Sequence, residues 1–173
     1  MSKPSLDDVA AFITLKKSLV RIMEWTNRPS NKTPQWMQFE SKCYLGTTLS
    51  DEATFRAHYR PAGIKEKGVA TIVIPEAFYV SIGLREHRVV AIDTLPGQTH
   101  TNRIVPGMPF SGAKIDATTH WHVWTIAGDG YVEPVEPEII ELEEVIDYFC
   151  GRVNLLLNGK FSHPMFGKSG SLI

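Results

Sequence analysis

Hydrophobic positions along the chain change their spacing several times, and each change marks a predicted element. Near the N-terminus, a capping-box motif at Ser5 precedes apolar side chains that recur at helical spacing. This pattern predicts a helix over residues 5–27. It ends at the proline-containing segment 28–34, which is typical of a loop.

A second helical pattern lies near the C-terminus. Its apolar positions run from Leu142 to Leu156, and Glu138 and Glu141 in its first turn suit the positive end of the helix dipole. The pattern stops at Gly159. The sequence therefore predicts a closing helix, followed by a tail over residues 159–173.

Between the two helices the spacing is that of β-strands, because β-branched and aromatic residues alternate with polar ones between turn residues. The predicted strands are 36–45, 54–60, 69–74, 78–82, 87–94 and 119–126, with a turn at 128–130 and a long loop at 95–118. We predict one α+β domain over residues 1–158. It is an antiparallel sheet of five or six strands with an N-terminal and a C-terminal helix packed on one face.

Composition agrees with a single globular domain. The chain has 173 residues, 43% of them hydrophobic, and a formal charge of −1, which excludes disorder and strong non-specific binding to nucleic acid. A small local basic site stays compatible with this charge.

We find neither a membrane span nor a signal core and expect a cytoplasmic protein. Cys43 and Cys150 are expected to be buried thiols in a reducing compartment.

The motif His120-Trp121-His122 is the first candidate for chemistry, since residues two apart on a strand point to the same side. Two imidazoles on one face can share acid and base roles or hold a metal ion. A zinc site would need a third ligand, for which Asp93, His100 or His163 could serve. An isolated pair is equally compatible with one exposed and one structural histidine.

The second candidate is a row of basic side chains, Arg56, His58 and Arg60, on one side of a predicted strand. Arginine can bind phosphate oxygens in bidentate fashion, so this row suits an anionic substrate. The alternative is that any antiparallel sheet with one solvated face needs polar residues there.

The third candidate is Asp93 with the segment that follows it. Pro96-Gly97 predicts a tight turn just after a strand, which brings His100 and Asn102 to a loop at the edge of the sheet. Signatures for nucleotide hydrolysis, dinucleotide binding, zinc proteolysis and serine hydrolysis are absent from the sequence.

Read in order, these motifs resemble a small prokaryotic domain-of-unknown-function family. Its pattern is an Asp strand, a Gly-x-x-His-x-Asn loop and a His-x-His strand, matched here by Asp93, by Gly97, His100 and Asn102, and by the His120 motif. The resemblance covers about residues 87–150. It implies a mobile-element or phage-type context, in which toxins, antitoxins and inhibitors are frequent.

From the residues we predict a phosphodiesterase or ribonuclease-like enzyme that needs no metal or cofactor and acts on RNA or another nucleic acid. A metal-dependent hydrolase is a further alternative. In this hypothesis His120 and His122 are the acid and base, His100 assists and Asn102 orients a phosphate. The predicted substrate-binding residues are Arg56, His58, Arg60 and Asp93.

The alternative is a non-enzymatic inhibitor or antitoxin-like module that docks onto a basic protein partner. It would use an acidic surface, which could imitate nucleic-acid phosphates. A solvated helix face explains the same charges. The acidic residues are Glu133, Glu136, Glu138, Glu141, Glu143, Glu144 and Asp147.

Overall fold

The computed structural model describes residues 2–29 and 33–166. Within these ranges the chain forms two helices, α1 (Leu6–Thr14) and α2 (Leu142–Arg152). The strands of the same ranges are β1 (Lys17–Ile22), β2 (Thr26–Asn27), β3 (Met37–Leu45), β4 (Thr48–Arg60), β5 (Gly63–Lys67), β6 (Ala70–Ile74), β7 (Ala77–Leu84), β8 (His87–Thr94), β9 (His100–Thr101), β10 (Lys114–Ile115), β11 (Thr119–Thr125), β12 (Gly128–Pro134) and β13 (Leu155–Asn158).

One mixed sheet dominates the described part of the chain. Its nine strands run in the order β12-β11-β8-β7-β4-β3-β1-β13, with β2 also paired to β3. The β1–β13 pair is parallel, and every other pair in this sheet is antiparallel. The remaining strands form two separate hairpins, β5–β6 and β9–β10. The α+β class is confirmed, but the prediction of five or six purely antiparallel strands is wrong.

The predicted N-terminal helix over residues 5–27 is too long. The capping box at Ser5 is present, but α1 ends at Thr14 and the chain continues as strand β1. The apolar residues of this segment fit both a helical and an alternating pattern. Tertiary pairing decides between them, since β1 gains main-chain hydrogen bonds to β3 and β13.

Boundaries near the C-terminus also differ from the prediction. Helix α2 begins after Glu141, whereas Glu138 lies outside it and accepts hydrogen bonds from the main-chain amides of Thr118 and Thr119. Leu156 belongs to β13 rather than to the helix.

Two further strand predictions need correction. Residues 128–130, predicted as a turn, open strand β12, because Gly128 and Gly130 adopt positive φ values of 96° and 103° in a bulged hairpin. The predicted strand 69–74 matches β6, which pairs with β5 outside the main sheet.

Helix α2 covers one face of the sheet. Phe149 is fully buried, with its ring centroid 6.1 Å from that of Phe55 on β4 and 5.7 Å from that of Trp121 on β11. Val9 and Phe12 of α1 belong to the same hydrophobic cluster. Both helices therefore pack on one face, as predicted, and the opposite face of the sheet is left for polar side chains.

Both cysteines, Cys43 and Cys150, are buried free thiols, as expected. The described part of the predicted tail contacts residues far away in sequence: Ser162 accepts a hydrogen bond from the Trp25 indole, and the His163 ring packs against Tyr59. Residues 167–173 of that tail lie outside the described residues. Neither described helix is long and apolar enough to cross a membrane.

Lys17 is a buried cation that joins α1 to the sheet. Its side chain is fully buried, and Nζ donates hydrogen bonds to the main-chain carbonyls of Phe12, Ile13 and Leu15 at the end of α1. These carbonyls have no hydrogen-bond partner within the helix. The negative end of the helix dipole also stabilises the positive charge of the ammonium group. Burial lowers the pKa of Lys17 to about 8, against an opposing effect of Cys43.

We expect Lys17→Met to lower the free energy of unfolding by about 2–4 kcal/mol, because it leaves carbonyl oxygens buried without donors. Urea denaturation at pH 7 measures this change. Lys16→Met, at an exposed neighbouring position, is the control and should change stability by less than about 0.5 kcal/mol. An unchanged midpoint for Lys17→Met would contradict this role.

Candidate active site

Directly paired residues of neighbouring strands form two polar rows on the face opposite the helices. Because cross-strand partners point to the same side of a sheet, each row is a line of adjacent side chains. The first row is Gln38, His58, Tyr79, Asp93 and His120. The second row is Glu40, Arg56, Ser81, Ala91 and His122.

Asp93 and His122 form a hydrogen-bonded pair, with 2.8 Å between Asp93 Oδ2 and His122 Nε2. On the other side of the ring, Arg88 lies 3.4 Å from His122 Nδ1, and it is itself bound to both carboxylate oxygens of Asp129. A guanidinium only donates, so Nδ1 accepts and the proton of the neutral ring resides on Nε2. This fixes the imidazole as a donor to Asp93.

Arg88 reaches this face because of a β-bulge. Ile82 on β7 pairs with Val90, whereas the next residue, Gly83, pairs with Arg88, so Val89 is an extra residue on β8. An extra residue reverses the alternation of sides beyond it. Arg88 thereby comes to the same face as Asp93, although strict alternation assigns the two to opposite faces.

His100 and His120 lie beside this pair. His100 Nε2 is 3.1 Å from the carbonyl oxygen of Gly130, and its ring centroid is 6.1 Å from that of His122. His120 is buried, and its Nε2 has no hydrogen-bond partner. Burial lowers the pKa of His120, while a hydrogen bond with the main chain of Ile115 opposes this shift.

The three predicted histidines therefore lie near Asp93; His100 is half-buried, and the other two are not on a solvated surface. His120 and His122 are only 4% and 6% exposed. His163, considered above as a third zinc ligand, instead contacts Tyr59. Across residues 2–29 and 33–166, no group of three or more His, Cys, Asp or Glu side chains has an arrangement suited to a metal ion.

Asn102 holds the long loop rather than facing a cleft. Its Oδ1 accepts from the Val132 amide at 2.8 Å, and its Nδ2 donates to the carbonyls of Val132 and Phe110 at 2.8 and 3.0 Å. Both amide hydrogens and one carbonyl lone pair are thus occupied by main chain. These bonds give Asn102 a structural role, and its predicted contact with phosphate stays a prediction.

A cleft of about 390 Å³ opens beside Asp93 on the same face. Asp93, predicted as a substrate-binding residue, lines this cleft, whereas none of the predicted acid–base histidines does. The second oxygen of Asp93, Oδ1, is buried without a hydrogen-bond partner. The other residues lining the cleft are Trp36, Arg56, Tyr79, Ser81, Arg88 and Leu95. A substrate in this cleft would thus meet the carboxylate of Asp93, two arginines and two aromatic rings.

Each side chain of the predicted basic row contacts another residue of the protein. Arg56 Nε contacts Glu40 Oε2 at 2.7 Å, and Arg60 donates to the carbonyl of Pro75 while its guanidinium lies 5.3 Å from the Trp36 ring centroid. His58 stacks on Tyr79 with 4.2 Å between ring centroids.

His58 lies in a positively charged environment. Its burial, followed by the charges of Arg28 and Arg56, lowers its pKa to about 4, against an opposing effect of Glu40. His58 is therefore neutral near pH 7.

Sequence reasoning missed Trp36, Tyr79, Arg88 and Asp129. Tyr79 lies between buried residues on a predicted strand, so its side was predictable, but its position opposite Asp93 depends on strand register. No sequence signal marks the bulge that turns Arg88 toward His122.

Comparison of the chain with protein-family models, with curated proteins and with solved structures finds no match. The resemblance of residues 87–150 to the domain-of-unknown-function family stays a prediction.

His58 makes stability depend on acid pH. Its pKa falls from 6.5 to about 4 on folding, so between these values the unfolded chain binds a proton that the folded chain does not. The stability present above pH 6.5 is therefore lost as pH falls toward 4, by about 1–3 kcal/mol.

His58→Phe keeps a ring against Tyr79 and should flatten this dependence. Urea unfolding at pH 7 and pH 4.5 measures it, with His87→Phe as the control that retains the wild-type loss. Equal losses in wild type and His58→Phe would show that His58 is not buried in its neutral form.

Proposed function

We propose that the protein cleaves phosphodiester bonds in RNA. The observation that supports this most strongly is Asp93 Oδ1, a buried carboxylate oxygen without a partner in a cleft that also holds Arg56 and Arg88. A positioned carboxylate can take a proton from a hydroxyl group, and arginines suit the charge of a phosphate.

In this proposal the roles of the predicted residues shift. Asp93 is the general base, and His122 is a positioning residue, because its Nε2–H holds Asp93 Oδ2 and leaves Oδ1 as the oxygen without a hydrogen-bond partner. Arg56 and Arg88 stabilise the negative charge that develops on the phosphate. Trp36 offers an aromatic surface for a nucleobase.

The proposed reaction uses the ribose 2′-hydroxyl as nucleophile. Asp93 takes its proton, the 2′ oxygen bonds to phosphorus, and the bond from phosphorus to the 5′ oxygen breaks. Tyr79 lines the cleft, and in this proposal its hydroxyl gives its proton to the leaving 5′ oxygen. Burial raises the pKa of this phenol and keeps it protonated. Asp93 then returns a proton to Tyr79 through solvent, and the products are a 2′,3′-cyclic phosphate and a 5′-hydroxyl.

Asp93→Asn should lower the rate of RNA cleavage by about a hundredfold or more, since the carboxamide cannot accept the proton. A fluorescently labelled oligoribonucleotide assay measures the rate, and thermal unfolding checks the fold. Asp116→Asn, which alters an exposed carboxylate paired with Lys114, is the control and should keep wild-type activity.

Two further results bear on this proposal. An oligonucleotide with 2′-deoxyribose at every position should bind without being cut. Wild-type protein that cleaves no RNA, or Asp93→Asn protein that cleaves at the wild-type rate, would contradict the proposal.

A second candidate function is docking to a basic protein, as an inhibitor or antitoxin-like module of a phage-type or other mobile system. It is supported by the exposure of the carboxylates on and before α2, namely Glu136, Glu138, Glu141, Glu143, Glu144 and Asp147. Charge reversal of Glu141 and Glu144 would abolish such docking and leave RNA cleavage unchanged.

A further inference from the structure

A second cleft adjoins the one beside Asp93. It has a volume of about 390 Å³, and Arg56 lines both clefts. The residues around this second cleft are Arg28, Gln38, Phe39, Glu40, Arg56 and His58. The two clefts are therefore neighbours on the same face of the sheet and share a cation.

His58 gives the second cleft an unsatisfied polar group. The side chain is 9% exposed, and its Nδ1 is buried without a hydrogen-bond partner. An unpaired buried nitrogen costs free energy, which a ligand that pairs with it would recover. Since the neutral ring can carry its proton on Nδ1, it can donate to an anionic oxygen.

The charges around His58 favour an anion. Arg28 and Arg56 both act on the imidazole, and Glu40 is the only carboxylate among the residues of this cleft. The contact between Arg56 and Glu40 uses the Arg56 Nε, so the terminal guanidinium nitrogens of Arg56 are not part of that ion pair.

We propose that the second cleft binds a phosphate group of the same nucleic-acid strand, adjacent to the phosphate that is cleaved. This rests on the proposed function and deepens it: the substrate is a single-stranded oligonucleotide rather than a dinucleotide. His58 lies two strands from Asp93 across the sheet, about 10 Å at the usual strand spacing, a distance that one or two steps of a flexible strand can span.

Binding without cleavage tests this subsite. The probe is a labelled nine-nucleotide single strand with 2′-O-methyl ribose at every position, compared by fluorescence anisotropy with a 2′-O-methyl dinucleoside monophosphate. Arg28→Gln should weaken binding of the longer strand by about five- to tenfold and leave the dinucleotide unaffected. It should also lower the slope of log K against log salt by about 0.7, the value for one lost phosphate contact on a single strand.

Two variants make the test specific. His58→Phe should weaken binding of the longer strand by a similar factor, because the substitution removes the Nδ1 donor and keeps an aromatic ring. Arg152→Gln removes an arginine from α2 on the opposite face and should bind like wild type.

Failures of the subsite and of the proposed function are distinguishable. Wild-type affinity and salt slope for Arg28→Gln, or no binding of the longer strand by wild type, would overturn the subsite. If the longer strand binds through Arg28 and His58 but wild type cleaves no RNA, the subsite stands and the proposed cleavage fails.

Discussion

The carboxamide of Asn102 is the contact on which the polar face depends. Strand β12 is an edge of the main sheet, so the amide and carbonyl of Val132 have no strand beside them and need other partners. Asn102 supplies both, and it also binds Phe110 within its own loop. The loop is thereby fixed over the sheet, with His100 held near His122 and Ile115 near His120, and water is kept from the imidazoles.

Within that enclosure, hydrogen-bonded polar groups form one line from Asp129 through Arg88 and His122 to Asp93. Each group is bound by the next, which lowers the cost of burying a carboxylate beside histidines. These contacts also fix the direction of the hydrogen bonds: Arg88 fixes the tautomer of His122, and His122 fixes the orientation of Asp93. In the proposed reaction the general base is accordingly Asp93, whose side chain lines the cleft, rather than the buried His120 or His122.

The sequence was sufficient for local features and insufficient for long-range ones. Alternation correctly assigned Phe55 to the core and Arg56 to the other face, and strand β8 was predicted with its observed bounds. The predictions were wrong for β1 and β13, because the conformation of such short segments depends on pairing with neighbouring strands. In the site, the spacing of two residues on one strand correctly placed His120 and His122 on the same face. The register of β7 against β8 and the bulge at Val89 decide that Tyr79 and Arg88 join Asp93.

The proposed site depends on the hydrogen bond between Asp93 and His122, which nitrogen NMR of the histidine side chains detects. His122 should donate from Nε2 and accept at Nδ1, as its contacts with Asp93 and Arg88 require, and Asp93→Asn should shift the resonance of Nε2 while leaving His87 unchanged. A proton on Nδ1 of His122, or a spectrum of this ring that does not respond to Asp93→Asn, would contradict the account.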